Sequence, residues 1–170
     1  MFDISKFRIV NDFPKPGVNF FDITTVLNDA EAFQELFHAL LEKARALQPD
    51  VIAALEARGY IFAPALALAL NVPFVPIRKK GKLPYKTYSE QYALEYGQET
   101  IEIHQDATKP HQRILICDDI LATGGTAAAA AKLMKHFYPK SVEFLFLLEL
   151  SFLNGREKIA EFGTESLLIV

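Results

Sequence analysis

The chain has 170 residues, 51% hydrophobic and 23% charged, with a formal net charge of −3. That size suits one globular domain, residues 1–170, built on a single core, and the composition excludes disordered and collagen-like classes. An acidic balance argues against general affinity for nucleic acid or an anionic membrane, both of which require basic surface, so any anion site must be local.

The opening MFDISKFRIVNDF has no sustained apolar stretch behind a basic prefix, so no signal peptide is expected. No run approaches the ~20 apolar residues of a membrane span, and the cytoplasm is the expected address. After the turn FPKPGVNFF, a polar break at Asn28 and Asp29 precedes Phe33, Leu36, Phe37, Leu40 and Leu41. That spacing predicts an amphipathic helix ending before Pro49. VIAAL, 51–55, predicts a buried strand, and YIFAPALALAL a returning helix with Pro64 in its first turn.

FVPI, 74–77, predicts the next strand, and the basic RKKGKLPYK an exposed loop. YALEYG and ETIEIH alternate as strands of a hairpin do. RILIC predicts a strand, GTAAAAAKLMKHFY its following helix, VEFLFLLEL a further strand, LNGREKIAEF a short helix and SLLIV the last strand. Strands alternating with helices imply an α/β fold, a mostly parallel central sheet flanked by helices on both faces, with ligands beyond the carboxyl ends of the strands. Cys117 is the only cysteine, which excludes an intramolecular disulfide framework; at the end of an apolar run it reads as a buried structural thiol. His38, His104, His111 and His136 form no metal-spaced pair.

Chemistry concentrates in ICDDILATGGTAAAAAK, 116–132. Asp118 and Asp119 repel each other and resist burial, so they need partners that favour negative charge or hydroxyl contacts. The segment Ala122, Thr123, Gly124, Gly125, Thr126 turns the chain into a helix whose first N–H groups and dipole favour a phosphate. Its glycines admit close backbone approach and its threonines add hydroxyl donors. An anion cradle beside two hydroxyl acceptors suits ribose 5-phosphate. A nucleoside-triphosphatase reading lacks its GxxxxGK[ST] loop, and a dinucleotide reading lacks GxGxxG.

ILICDDILATGGT, 114–126, resembles the phosphoribosyl-pyrophosphate motif of type I phosphoribosyltransferases. DFPKPGVNFFDIT, EARGYIF, RKKGKLPYKT, YALEYG, EIHQDATKPHQRILI and FLNGREK extend the similarity along nearly the whole chain, toward the adenine-using members of that family. The resemblance implies a type I phosphoribosyltransferase fold with a small N-terminal hood and a mobile catalytic loop. It implies transfer of the phosphoribosyl group of 5-phosphoribosyl 1-pyrophosphate to adenine, giving AMP and pyrophosphate in purine salvage. Alternatives are another purine base as acceptor, or a regulatory protein that senses the phosphoribosyl donor.

By the same resemblance, Asp118 and Asp119 hold ribose hydroxyls and Ala122 to Thr126 the 5-phosphate. Glu56, Ala57, Arg58 and Gly59 form the pyrophosphate loop, supported by Arg78, Lys79 and Lys82. Glu95 is the catalytic-loop carboxylate at the purine's imidazole edge, with Arg58 as a second catalytic group. Asn19, Phe20 and Phe21 lie where adenine is bound, although Asn19 and Phe21 depart from the apolar and basic residues usual there. Tyr88 and Tyr92 read as aromatic contacts of a hairpin. Mg²⁺ is expected to arrive on the pyrophosphate rather than in a dedicated metal site, and a homodimer is implied.

Overall fold

The computed structural model of the chain describes residues 2–13, 16–17, 19–93 and 97–170. A short N-terminal layer comes first. A 3₁₀ turn, Ile4–Lys6, is capped by the Asp3 carboxylate, which accepts from the Ser5 amide at 2.8 Å. Strands β1 (Arg8–Val10) and β2 (Phe20–Asp22) pair antiparallel, and α1 (Thr24–Leu27) follows. Helix α2 (Ala30–Leu47) starts where Asp29 accepts from the Glu31 and Ala32 amides. Its buried residues Ala32, Leu36, Leu40 and Ala44 recur every four positions, the stripe that one helix face presents to a core.

Then come β3 (Val51–Leu55), α3 (Ala63–Leu70), β4 (Phe74–Lys79), β5 (Thr87–Ala93), β6 (Gln98–His104), β7 (Arg113–Leu121), α4 (Gly125–Lys135), β8 (Ser141–Glu149) and β9 (Gly163–Ile169). Pro64 falls in the first turn of α3, where its missing N–H costs no helical hydrogen bond. Among the described residues these strands make one seven-stranded sheet, ordered β5-β6-β4-β3-β7-β8-β9. Strands β4, β3, β7, β8 and β9 are parallel, and the β5–β6 hairpin closes one edge antiparallel.

Both faces of the sheet are covered, as the near-continuous apolar strands require. On one face Val51, Ala53 and Leu55 of β3 and Ile114 and Ile116 of β7 pack with the alanines of α4. On the other, Ile52, Ala54, Leu115 and Cys117 pack with α2 and α3. The crossovers that follow β3 and β7 therefore leave on opposite faces, and the gap between their carboxyl ends is the place where such sheets take ligands.

The first hairpin strand, expected at YALEYG, is Thr87–Ala93, with residues 94–96 outside the described ones, and three further segments differ from the sequence-based expectation. β7 does not stop at RILIC but runs to Leu121, because Asp118, Ile120 and Leu121 stay paired with Phe146, Leu148 and Glu149. Arg78 and Lys79 belong to β4 rather than to a loop, since they pair with Glu102 and Ile101 of β6. LNGREKIAEF forms 3₁₀ turns, Ser151–Leu153 and Gly155–Ile159, in place of an α-helix. Asn154 between them is left-handed at φ 53°, which interrupts helical propagation.

Candidate active site

The loop after β7 is held in shape by backbone packing. Gly124 takes a left-handed φ of 74° at the N-terminus of α4, and no side chain caps that terminus. Its first-turn N–H groups are thus left for a ligand, and no acidic residue stands in the first turn to oppose an anion. Residues from Ile120 to Ala127, with Asp118 and Phe146, enclose a small pocket of about 80 Å³. The structure brings all five residues from Ala122 to Thr126 to that pocket.

Asp118 and Thr126 also line a larger cleft of about 510 Å³, whose other wall carries Glu56, Ala57, Arg58, Lys79 and Lys82. Arg58 begins a 3₁₀ turn, Arg58–Ile61, directly beyond β3, and the Glu56–Ala57 peptide bond before it is cis. Gly59 in that turn runs against β7: a Cβ there would lie 2.8 Å from the Cys117 carbonyl oxygen, which is why the position carries no side chain. The turn after β3 is therefore packed directly against the backbone of β7, ahead of the loop that follows that strand.

Each cation in this wall has a carboxylate partner. Glu56, whose side chain is 9% exposed, accepts from Arg78 Nε at 3.0 Å and from the Lys79 amide at 3.1 Å, and it also pairs with Lys82. Burial would raise the Glu56 carboxyl, but hydrogen bonds from Lys82, Arg78 and the Lys79 amide outweigh it and hold the group below its ordinary value. Lys79 Nζ meets Glu99 at 2.6 Å, and that hydrogen bond holds the ammonium above its usual pKa. Glu56 thus sits among the expected pyrophosphate ligands as their counter-ion, arranging cations rather than offering one.

The twin acids have different surroundings. Asp119 is 4% exposed and its carboxylate pairs with Arg58 Nε. Burial works against the Arg58 charge, yet Asp119 and Asp118 together raise its pKa. Asp118 accepts the Asp119 amide at 2.9 Å and faces both the small pocket and the cleft. Burial, reinforced by the charge of Asp119, pushes its carboxyl well above the ordinary range. An opposite charge or a hydroxyl donor brought to Asp118 by a ligand would reverse that penalty.

Two residues of this cleft carry no signal in the motif. Glu99 and Tyr92 both line it. The Tyr92 hydroxyl donates to Glu99 at 3.2 Å, and a Cβ on Gly125 would stand 3.7 Å from the Tyr92 ring. Tyr92 therefore departs from its reading as a plain hairpin contact. Its alternation with Tyr88 and Glu90, all partly covered while Ser89, Gln91 and Ala93 are exposed, was the available clue. Tyr88 does stay in an aromatic contact, stacked on His136 with ring centres 4.2 Å apart.

The expected acceptor residues are not on this cleft. Asn19 is exposed; Phe20 meets Phe13 edge to face at 5.3 Å, and Phe21 packs against the core shared by α2 and α3. Tyr60 donates its hydroxyl to the Ile77 carbonyl at 2.8 Å and sets its ring edge-on to Phe74, fastening the Arg58 turn to β4. Burial raises its phenol strongly. Glu95 lies outside the described residues. The Cys117 thiol is fully buried, and burial raises its pKa far from reactive values.

The arrangement is an anion cradle, two carboxylates and a second, cationic wall in sequence along one cleft. Residues 23–159 match the model of the phosphoribosyl transferase domain. The chain is 48% identical over 167 residues to the adenine phosphoribosyltransferase of Desulfitobacterium hafniense, covering 98% of this chain and 96% of that protein. Its fold is similar to the crystal structure of adenine phosphoribosyltransferase from Thermoanaerobacter pseudethanolicus, with TM-score 0.87, 47% identity and coverage of 98% and 96%. It is also similar to the Saccharomyces cerevisiae enzyme complexed with D-2,5-dideoxy-2,5-imino-altritol 1,6-bisphosphate and adenine, with TM-score 0.90, 39% identity and coverage of 96% and 95%. The chain belongs to the type I phosphoribosyltransferases, within their adenine phosphoribosyltransferase family.

Proposed function

We infer that this protein moves the phosphoribosyl group of 5-phosphoribosyl 1-pyrophosphate onto adenine, giving AMP and pyrophosphate as a step of purine salvage. The observation that carries the reading is the juxtaposition of the Ala122–Thr126 cradle and the Arg58, Lys79 and Lys82 wall across one cleft with Asp118 between them. A donor with a phosphate at one end, hydroxyls in the middle and a pyrophosphate at the other matches that order of groups.

In the reaction the bond from the anomeric carbon to a pyrophosphate oxygen breaks, and a bond from that carbon to an adenine imidazole nitrogen forms. Positive charge grows on the ribose while negative charge moves to the leaving group. The carboxylates of Asp118 and Asp119 take the ribose hydroxyls and lend negative potential to the sugar. The Ala122–Thr126 amides and hydroxyls anchor the 5-phosphate. Arg58, Lys79 and Lys82 receive the pyrophosphate, with Asp119 holding Arg58, Glu99 holding Lys79, and Glu56 and Arg78 holding Lys82. Fixed charges of this kind commonly supply the largest part of the rate enhancement, and removing one well-aimed donor costs on the order of 10²- to 10³-fold.

Glu95, by family resemblance, takes the proton at the adenine imidazole edge. Asn19, Phe20 and Phe21 stay assigned to the base on the same ground. Among the described residues no three His, Cys, Asp or Glu side chains stand together as a metal cage. Glu56 and Asp119 are already paired with cations, so a Mg²⁺ ion fits here as part of the donor, with Asp118 as the nearby carboxylate. When bound, the ion would supply charge neutralisation for the leaving pyrophosphate. A homodimer in the cytoplasm completes the proposal; among the described residues no helix is long and apolar enough to cross a membrane.

The test is incubation with the donor, Mg²⁺ and each purine base in turn, with nucleotide detection. AMP as the sole product supports the reading. IMP or GMP in comparable amounts overturns the choice of base, and donor binding without turnover overturns the enzyme. Glu95→Leu is expected to lower turnover far more than donor affinity; unchanged turnover removes Glu95 from the chemistry.

A further inference from the structure

Behind the β7 loop stands a second piece of chain, thirty residues later, that lines neither pocket. Gly155 is buried and meets the loop backbone to backbone. A Cβ on Gly155 would lie 2.0 Å from the Ala122 carbonyl oxygen and 2.8 Å from the Gly124 nitrogen; one on Gly124 would lie 2.2 Å from the Gly155 carbonyl oxygen. No side chain fits on either side of that contact, so the positions of the two backbones are mutually determined.

The next residue fixes where Gly155 stands. Arg156 Nε donates to Glu149 Oε1 at 2.8 Å and Nη1 to the Thr164 carbonyl at 2.8 Å, while Nη2 donates to the other Glu149 oxygen and reaches Ser166 Oγ at 3.3 Å. The Ser166 hydroxyl donates in turn to Glu149 at 2.6 Å. Glu149 is 5% exposed and ends β8 opposite Leu121, the last residue of β7 before the loop. The guanidinium fork thus joins the carboxyl end of β8 to the first half of β9 and ties Gly155 to the sheet that carries the loop.

We propose that Arg156, through Gly155, is a positioning residue for the phosphate loop: the Glu149–Arg156–Ser166 cluster holds Gly155 against Ala122 and Gly124, and so sets the aim of the amides that take the 5-phosphate. The proposal rests on the assignment of that loop to the 5-phosphate. It predicts that loosening the cluster weakens binding at this end of the donor and leaves the pyrophosphate end alone, whereas a general loss of stability would weaken both.

The experiment follows the backbone amides of Gly124, Gly125 and Thr126 by NMR while ribose 5-phosphate is titrated into the full chain. A parallel titration uses pyrophosphate with Mg²⁺. In the wild-type protein ribose 5-phosphate should shift those amides; if it does not, the loop assignment fails and the proposal falls with it. In Arg156→Gln the ribose 5-phosphate Kd should rise about tenfold, the weight of misaiming one hydrogen bond to a charged ligand, with the pyrophosphate Kd, read on the amides of Arg58 and Lys79, within about twofold. Ser166→Ala, a milder change that leaves the arginine pair, should give a smaller rise of the same kind, and Arg156→Lys should fall between because an ammonium lacks the fork. If shifts occur in the wild type but both milder variants bind ribose 5-phosphate as it does, or if both ligands weaken in parallel, the positioning role is wrong while the loop assignment stands.

Discussion

The β7 loop and the cationic wall face the same cleft, but they differ in what their donors are doing. In the loop, the helix N-terminus has no side-chain cap and its shape is set by backbone contact with Gly155. In the wall, Arg58 is engaged by Asp119, Arg78 and Lys82 by Glu56, and Lys79 by Glu99. An anion meeting the loop finds vacant amides already aimed. An anion meeting the wall must draw cations away from carboxylates, so its affinity is a difference between two sets of ion pairs. On the proposed assignment, the two ends of one donor would be met by a rigid device and an exchangeable one.

The comparison breaks most readily at the loop. Gly124→Ala places a Cβ 2.2 Å from the Gly155 carbonyl oxygen on a residue with φ 74°. A displacement of the loop by about 1 Å should lower kcat/KM for the phosphoribosyl donor on the order of 10²-fold, with pyrophosphate inhibition retained. Normal donor kinetics would mean that the loop's shape is not what holds the phosphate.

Arg58→Ala tests the exchangeable side. Pyrophosphate binding should weaken about tenfold, as expected for a lost charged hydrogen bond. Asp119, left buried without its partner, should lower stability by roughly 1–2 kcal/mol, a figure discounted because Arg58 is itself half exposed. Adding Asp119→Asn should recover the stability in denaturant titrations but not the binding. Recovery of both would make the pair purely structural.

Salt sharpens the contrast more gently. Raising ionic strength to about 0.5 M should weaken pyrophosphate binding severalfold, since its ligands are long exposed side chains, and ribose 5-phosphate binding less, since its donors are mostly fixed amides. Equal slopes for the two ligands in isothermal titration would erase the distinction. The smallest effect concerns pH. Hydrogen bonds from Arg156, with a further one from Ser166, hold the Glu149 carboxyl below its ordinary value against the opposing effect of burial. A carboxyl depressed in the folded state stabilises the fold above the usual glutamate range, and that contribution is lost as pH falls through the depressed value. Thermal melts of Arg156→Gln should therefore lose less stability on acidification than those of the wild type.

The fold was legible because its signals are local. Asp29 capped α2 as its polar break suggested, VIAAL and RILIC formed central strands, and the alanine run formed the helix after the TGGT loop. The site was legible where chemistry and chain continuity coincide, as in Asp118 to Thr126. What sequence reading passed over depends on pairs distant in the chain. Glu99 joins the cleft only because the β5–β6 hairpin lies beside β4, and Gly155 reaches Gly124 only because β8 and β9 pair next to β7. The charge partners of Arg58, Arg78 and Lys82 were invisible for the same reason: a run such as RKKGK announces its cations and says nothing of the acids that restrain them.

Gly59 pressed on the Cys117 carbonyl gives the molecule the character of a calliper. Its two jaws, the loop after β7 and the cationic wall, share a hinge that has no room to slip. On the proposed assignment, substrate choice would include a measurement of length: an analogue whose terminal groups stand closer together or farther apart than those of the natural donor would satisfy one jaw only. A side chain introduced at Gly59 would reset the gauge.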